Sequence, residues 1–342
     1  METHALIDRK LEVKKRIFSI LGILLILTVP IYVRSQYALS IIILVLMYAF
    51  YSSSWNILGG FAGQLSFGHA IFIGVGGYVS GALFTYLNVS PWIGMIAAGL
   101  VSALLSLIVS LPCFKLKGSY FALATEALLF VIQLIFKSED YILGVKTNAA
   151  IGLQIPWRGT FADMQFKTNT GYYYVILAFV IISYLFTRYI TRSKMGYYLR
   201  AIKNNQDAAA SLGVNARFYK TLAQFIGAFM AGIGGTFYAM YILILDPKAV
   251  LGYPLSVQCI LISIIGGRGT VWGPIIGACI MVPISELLRA TIGTQVPGIS
   301  YFIYGVLLMI IVFFCPDGLA KYIVNFLNKI FGNRKKIPLS DI

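Results

Sequence analysis

Long apolar stretches separated by short polar segments run through almost the whole chain, from Ile17 to Cys315. The hydrocarbon core of a bilayer requires about 20 predominantly apolar residues for each helical span. Hydrophobic residues make up 59% of the sequence and charged residues 11%, against roughly 45–50% and about 25% in soluble domains. The stretches lack the alternation of barrel strands, so the sequence predicts an all-α, polytopic transmembrane helical bundle.

Ten spans are predicted, at residues 17–33, 37–58, 68–87, 92–114, 119–137, 172–190, 221–243, 257–273, 275–291 and 301–315. They divide the chain into a basic N-terminus (1–16), a transmembrane domain (17–315) and a basic tail (316–342). The basic N-terminus followed by an apolar stretch is similar to a secretion signal, but a small-residue cleavage pattern is missing. We therefore expect the first span to be retained.

The basic residues are divided unequally between the two faces of this arrangement. Ten spans place both termini on one face, and that face then carries 20 of the 27 Lys and Arg residues. Positively charged loops stay in the cytoplasm, so both termini and the loop 191–220 are predicted to be cytoplasmic and the loop 138–171 external. The same distribution argues against nucleic acid as a partner, although the net charge is +15.

Aromatic residues near the ends of the external loop predict a belt at the membrane interface: Trp157, Tyr172, Tyr173 and Tyr174. The four cysteines, Cys113, Cys259, Cys279 and Cys315, stand singly in apolar stretches and are predicted to be small buried side chains. The sequence contains neither a metal-binding spacing nor a nucleophile–base arrangement, so no catalytic or metal site is predicted.

Two Gly-rich segments are similar to each other and each precedes an apolar stretch. The first runs from Gly59 to Gly68 and the second from Gly266 to Pro274. Paired Gly-interrupted segments in the two halves of a membrane protein indicate a repeat around a transport path. Gly-rich turns are also common between close-packed helices, so packing is the alternative interpretation.

Polar residues inside the predicted spans require an explanation, because a central charge costs about 2.5–3.5 kcal/mol on insertion scales. Glu126 lies deep in an apolar stretch, and we expect it to face the bundle interior as part of a path or as a structural hydrogen bond between helices. His69 is expected to be a packed, hydrogen-bonded residue, and Gln64 and Ser66 beside it could line a polar cavity. Glu286 and Arg289 are three residues apart and are predicted to pair locally.

The loop 191–220 carries six basic residues. Its stretch from Tyr197 to Leu212 contains neither Pro nor Gly and is rich in Ala, Lys, Arg and Gln, which predicts a cytoplasmic helix. Gly213 then permits the turn that ends this helix.

Four ordered motifs between residues 45 and 320 resemble those of LivM-type permeases, the membrane subunits of branched-chain amino acid ABC importers. The first is Gly63-Gln64-Leu65-Ser66-Phe67-Gly68-His69-Ala70, followed by Phe72, Gly74 and Gly77-Tyr78. The others are Leu116-Lys117-Gly118-Ser119-Tyr120-Phe121-Ala122-Leu123-Ala124-Thr125, Gly267-Arg268-Gly269-Thr270-Val271-Trp272-Gly273-Pro274-Ile275-Ile276-Gly277 and Pro316-Asp317-Gly318-Leu319. Candidate residues for a translocation path or its packing are Gly63, Gln64, Ser66, His69, Thr125, Glu126, Gly267, Gly269 and Trp272.

A fifth segment, which contains Asp207, Ala208, Ala209 and Gly213, is similar to the E-A-A-x-x-x-G coupling motif of ABC importers, with Asp207 in place of Glu. The resemblance implies a short helix that docks in a cleft of an ATPase subunit. Its candidate residues are Gly196, Arg200, Asp207, Ala208, Ala209 and Gly213.

The resemblance further implies an assembly in a bacterial plasma (inner) membrane. A second homologous permease, two ABC ATPase subunits and an external substrate-binding protein would be the partners, besides membrane lipid. The chain has no P-loop sequence, so it is expected to bind no cofactor itself, with ATP and Mg bound by the ATPase subunits. Branched-chain amino acids are the expected substrates; urea, amides or another small polar solute are alternatives, and a secondary transporter is the competing class.

Overall fold

Helices form nearly all of the structure, a computed structural model that describes residues 27–33, 35–116, 118–142, 145–149, 151–291 and the positions 303, 305–306, 309, 313 and 318–322. Residues 27–32 are helical. The longer helices are α1 (Gln36–Asn56, extended by a π-helical turn, Ile57–Phe61), α2 (His69–Leu87), α3 (Pro91–Cys113), α4 (Ser119–Ser138), α5 (Asn169–Arg192), α8 (Ala216–Ile242), α10 (Tyr253–Gly267) and α11 (Gly273–Thr291). The shorter helices are α6 (Lys194–Asn204), α7 (Gln206–Ser211) and α9 (Pro247–Val250).

Eight of the described helices are long and apolar enough to cross a membrane. They correspond to the second to ninth predicted spans, and the all-α polytopic class is confirmed. The eighth span, predicted at 257–273, is wrong in its bounds, because α10 ends at Gly267, which has a φ of +129°. The tenth span, most of the first, the N-terminus 1–16 and most of the tail 316–342 lie outside the described residues, so ten spans and cytoplasmic termini remain predictions.

Glycines allow the central helices to pack backbone against backbone. Helix α8 packs most extensively on α3 and α2, and α1 connects this group to α5, α10 and α11. A methyl group on Gly235 of α8 would clash with the carbonyl oxygen of Ile73 on α2, and one on Gly76 would clash with Gly232. Small residues at such crossings drive helix association in membranes, where apolar burial provides little driving force.

The loops separate into two groups at opposite ends of the bundle. One group, here called the basic face, comprises residues 62–68, 193–215 and 268–272, which contact one another through Gly63, Lys203 and Gly269. The other group comprises the described residues of 88–90, 139–168 and 243–252, joined for example by the hydrogen bond that the Ser90 hydroxyl donates to the Ala162 carbonyl. This grouping agrees with the predicted alternation of loops.

In the described part of the chain, four two-residue strands add to the helices at the face opposite the basic one. Strand β1 (Tyr141–Ile142) pairs antiparallel with β2 (Val145–Lys146), and β3 (Leu153–Gln154) pairs antiparallel with β4 (Ile244–Leu245), with Leu153 opposite Leu245. The loop 139–168 is thereby fastened to the end of α8. Tyr78 of α2 donates a hydrogen bond to the Leu245 carbonyl, 2.6 Å, which ties the same ladder to the bundle.

Two predictions about single side chains are wrong. Tyr172 and Tyr173 are buried instead of forming part of an aromatic belt, because they pack into the bundle and Tyr172 donates to the Met240 carbonyl, 3.2 Å. Cys279 is exposed on α11, whereas Cys113 and Cys259 are buried as predicted. Cys315 lies outside the described residues.

Candidate functional site

The two Gly-rich segments meet at the basic face, although they lie about 200 residues apart in the sequence. The side chain of Asn56, at the end of α1, accepts a hydrogen bond from the Gly269 N–H, 2.9 Å, and donates one to the Thr270 carbonyl, 2.8 Å. A methyl group on Gly269 would lie 2.7 Å from the Gly60 carbonyl oxygen. We name this contact, formed by Asn56, Gly60, Gly63 and Gly269, the glycine junction.

Positive backbone φ angles shape the glycine junction. Gly63 has a φ of +75° and Gly269 has a φ of +80°. Residues other than glycine rarely adopt this left-handed region. The Thr270 hydroxyl then accepts from the N–H of Gly273, the first residue of α11, 3.0 Å. The predicted internal repeat is not established by this contact, but the two similar segments do form one structural unit.

Lys203, near the end of α6, reaches into the glycine junction. A methyl group on Gly63 would lie 3.0 Å from its Cγ, and one on Gly269 would lie 2.8 Å from its Nζ. Partial burial and the nearby Arg268 guanidinium lower the pKa of Lys203, and partial burial also lowers the pKa of Arg268. Two like charges therefore approach each other here at an electrostatic cost.

The helix predicted from Tyr197 to Leu212 is interrupted. Asn205 has an extended backbone, with φ −157° and ψ 109°, and its side chain accepts from the N–H groups of Asp207 and Ala208, both 3.0 Å. Helix α6 therefore stops at Asn204 and α7 starts at Gln206. Asparagine caps helices well because its side chain replaces the missing backbone acceptor, and the absence of Pro and Gly did not reveal this break.

Helix α7 ends as the sequence predicts. Gly213 has a φ of +84°; its N–H donates to the Ala210 carbonyl, 2.9 Å, and the Val214 N–H donates to the Ala209 carbonyl, 3.1 Å. This is the Schellman pattern of helix ends. Asn215 then caps α8 by accepting from the Phe218 N–H, 3.0 Å.

Helix α7 presents most of its surface to solvent. Ala209 is buried in a small cluster with Ile202 and Ala216. Asp207 and Ala208 are exposed, and Leu212 is 86% exposed, an unusual fraction for a large apolar side chain. We name residues 194–215 the α6–α7 unit, and its tip is a short capped helix with an open apolar side chain.

The remaining predicted residues of this unit support its attachment to the bundle. Gly196 is buried, and a methyl group there would lie 2.7 Å from the Thr191 Cα, so α6 can follow α5 closely. The Arg200 guanidinium donates to the Thr191 carbonyl, 3.0 Å, and lies 4.8 Å from the centre of the Tyr197 ring. Both residues therefore contact their own unit or the end of α5.

Ser66 and His69 line a small polar cavity of about 10 Å³ that is bounded also by Ser54 and Gln224; this is the space of about one water molecule. The Ser54 hydroxyl donates to the Tyr51 carbonyl, 2.7 Å, and its oxygen lies 2.8 Å from His69 Nε2. His69 is thus a buried, hydrogen-bonded residue, as predicted. The Ser66 hydroxyl is buried without a partner in the structure, and Gln64 is half-buried beside it.

Thr125 and Glu126 lie on α4, which packs beside this region. The Thr125 hydroxyl accepts from the Phe67 N–H, 3.1 Å, and donates to the Ala122 carbonyl, 2.9 Å. Glu126 is half-buried and lies near Tyr253 of α10. Gln64, Ser66 and His69 therefore form one group of predicted path residues, Thr125 and Glu126 form a neighbouring one, and the two do not converge on one pocket.

Two predicted residues lie elsewhere. Trp272 packs on Tyr184 of α5, with ring centres 4.6 Å apart, and Gly267 adjoins Ala320. The predicted pair of Glu286 and Arg289 is confirmed, with 2.8 Å between the charged atoms. Among the described residues, no group of three or more His, Cys, Asp or Glu side chains is arranged to hold a metal ion.

Asn56 and Lys203 are the residues at the glycine junction that the sequence did not single out. Asn56 is fully buried. The sequence did contain an indication of its role, because it is a lone amide at the end of an apolar span and directly precedes a Gly-rich segment. Lys203 gave no such signal, since it is one of six basic residues in its loop and only the fold brings it to Gly63 and Gly269.

Comparison with known proteins places this geometry in a family. Residues 37–312 match the family described as "branched-chain amino acid transport system / permease component". The chain is 24% identical to the high-affinity branched-chain amino acid transport system permease protein LivM of Salmonella typhimurium, over 90% of this chain and 75% of the relative. It is 23% identical to the probable permease LivM of Methanocaldococcus jannaschii, over 80% of this chain and 90% of the relative.

Similarity extends to a second kind of permease. The chain is 22% identical to the permease protein LivH of Salmonella typhimurium, over 80% of this chain and 90% of the relative. No solved structure matches the chain. With its apolar spans, the chain is a multi-pass membrane protein that belongs to the family of branched-chain amino acid transport permease components, and it is of the LivM type.

Proposed function

We propose that this permease is one membrane-spanning subunit of an ATP-driven importer for branched-chain amino acids in a bacterial inner membrane. An external binding protein delivers the substrate, and a second, homologous permease completes the path. Two ABC ATPase subunits bind ATP and Mg on the basic face, and the chain itself catalyses no reaction.

The observation that carries this proposal is the form of the α6–α7 unit. A six-residue helix, capped at both ends, stands on the basic face with Asp207, Ala208 and Leu212 exposed. A large apolar side chain at such a tip suits a cleft on a partner protein. The basic residues that flank it suit an acidic partner surface.

The unit is also connected to the ends of the spans. Lys203 joins it to the Gly63 and Gly269 segments, and those segments lead directly into α2 and α11. Movement of the α6–α7 unit on nucleotide binding therefore reaches two spans through one contact. A direct connection of this kind suits a switch between outward- and inward-facing states.

Substitution of Ala208 by Trp tests the docking surface. Ala208 is exposed, so the bulky side chain leaves the fold intact but obstructs a cleft that receives α7. We expect the ATPase subunits to be lost when the permease is purified from membranes, while its insertion is unchanged. Substitution of Gly213 by a bulky residue is expected to have the same effect by straining the turn, whose φ is +84°.

Ala162→Trp is the matched control, because Ala162 is also exposed but lies at the opposite face. Retention of the ATPase subunits by the Ala208→Trp protein would refute docking through α7. Loss of them in both Trp variants would indicate damage to the fold and would equally remove support for the docking surface.

A further inference from the structure

Helix α4 carries a polar stripe along one side. Glu126, Gln133 and Lys137 are separated by seven and four residues, which at about 100° per residue places them within about 40° around the helix axis. Phe130 lies on the same stripe. The stripe extends over roughly 16 Å of the helix, since each residue rises about 1.5 Å.

All three polar side chains of the stripe are half-buried. Gln133 donates to the Pro247 carbonyl, 3.4 Å, and Lys137 donates to Gln133 Oε1, 3.2 Å. Within the described part of the chain, Glu126 has no hydrogen bond and no ion pair, and Tyr253 is the group on which its charge acts. A charged carboxylate is costly against hydrocarbon, so the charged form of Glu126 requires water, a ligand or another chain beside it.

Aromatic rings lie beside the stripe. The Tyr253 ring, at the start of α10, stacks on Phe130 and on Phe67, with 5.9 Å between ring centres in each case. Phe130 is nevertheless 48% exposed. The surface where α4 meets α10 therefore combines an unpaired carboxylate with apolar rings, one of them accessible.

Helix α4 is the least buried of the eight spans, and its stripe borders a broad apolar surface that includes Leu123, Val131 and Leu134. Lipid suits that apolar surface but not the stripe. A free amino acid with an apolar side chain carries an ammonium group beside an apolar group, and this matches a carboxylate beside aromatic rings.

We propose that the stripe of α4 and Tyr253 form one wall of a water-filled substrate groove. In this groove Glu126 binds the ammonium group of a zwitterionic amino acid, and Phe130 and Tyr253 contact its apolar side chain. The proposal rests on the proposed function and assigns to this permease a direct part in substrate recognition.

Cysteine labelling at matched depths tests the groove. In the assembled transporter, with the four native cysteines of this chain replaced by alanine, single cysteines are placed at Glu126 or Gln133. The controls are Ala127 and Leu134, which lie at nearly the same depth but on the exposed apolar surface. A charged, membrane-impermeant thiol reagent is expected to label the stripe positions about tenfold faster than the controls, since it reacts only where water reaches.

A second measurement tests the role of the charge. Glu126→Gln keeps the shape of the side chain but removes its charge, so uptake of radiolabelled leucine is expected to fall about tenfold, as for the loss of one charge-assisted hydrogen bond. Co-purification of the ATPase subunits should be unchanged, since Glu126 lies away from the basic face.

The outcomes separate the groove from the proposed function. Leucine uptake by the parent transporter, together with equal labelling of stripe and control positions, would overturn the groove and leave the function standing. Unlabelled stripe positions would likewise overturn it and would indicate that the second permease covers α4. Unchanged uptake by the Glu126→Gln protein would refute the assigned role of the carboxylate.

Discussion

At the residue scale, Asn56 shows how one side chain can hold two distant segments together. Its amide group makes one hydrogen bond to Gly269 and one to Thr270, and the residue is fully buried. Both backbone partners would lose their bonds if the amide were removed. A buried polar group without a partner costs about 1–3 kcal/mol.

We therefore expect Asn56→Ala to lower the thermal stability of the purified permease, by about 1–3 kcal/mol in the free energy of unfolding. The measurement is the temperature at which the detergent-solubilised protein loses its monodisperse elution peak. Asn204→Ala is the control, because Asn204 is exposed at the end of α6. Equal stability of the two variants would contradict the role given to Asn56.

Residue types in the sequence predicted some of these roles and not others. Gly213 could be assigned to a turn because few residues other than glycine adopt a positive φ. His69 could be assigned to a buried hydrogen bond because no second ligand stood near it. The partners of Asn56 and Lys203 could not be predicted, since they come from segments far away in the sequence and depend on how the spans pack.

At the scale of elements, hydrophobic stretches located most helices, because a span must satisfy its own backbone within lipid. The errors occurred where a local hydrogen bond or backbone angle ended a helix within a stretch whose composition favours a helix. Asn205 breaks the predicted helix 197–212, and the positive φ of Gly267 ends α10 before the predicted position. The strand pairs were not predicted either, since each strand is only two residues long.

Helix α6 carries a charge that opposes stability. The pKa of Lys203 is lowered in the folded protein by partial burial and by Arg268. Because the folded protein then holds this proton less tightly than the unfolded chain, protonation of Lys203 disfavours folding at neutral pH. This penalty decreases as the pH rises through the folded-state pKa and is gone above the unfolded value of about 10.4.

We expect Lys203→Met to leave stability unchanged or raised, because methionine keeps the aliphatic contact with Gly63 and removes the repulsion from Arg268. We also expect less substrate to be transported for each nucleotide hydrolysed, because the contact between α6 and Gly269 is weakened. Both rates are measured on the transporter reconstituted in liposomes, with Lys194→Met, at an exposed position on the same helix, as the control. An unchanged ratio of transport to hydrolysis would show that Lys203 does not couple the two.

At the scale of the whole molecule, the separation of loops into two faces is the feature that the sequence predicted best. It follows from the number of spans and the placement of basic residues, and both are properties of composition along the chain. The proposed substrate groove could not be predicted from the sequence, because it depends on which side of each helix remains uncovered. Only the fold shows that α4 borders α10 and that Glu126 lies between them.

The orientation of the two faces can be tested with single cysteines at Leu212 and Ile151. Leu212 is 86% exposed on the basic face and Ile151 is 67% exposed on the opposite one. In intact cells whose outer layers are permeable to the reagent, an impermeant thiol reagent should label position 151 and not position 212. Inside-out vesicles should give the reverse pattern, since basic loops stay in the cytoplasm; labelling of position 212 in intact cells would invert the proposed topology.

The small contact area between α7 and the bundle has a consequence for how such a protein can evolve. Ala209 of this helix is buried and Gln206 accepts a hydrogen bond from Lys220 of α8, whereas Ala208, Ala210 and Ser211 are exposed. Substitutions there can accumulate without disturbing the spans or the glycine junction. Under the proposed docking through α7, partner-binding specificity can thus diverge independently of the spans, and duplicated transporters can acquire separate ATPases by changing only a few exposed residues.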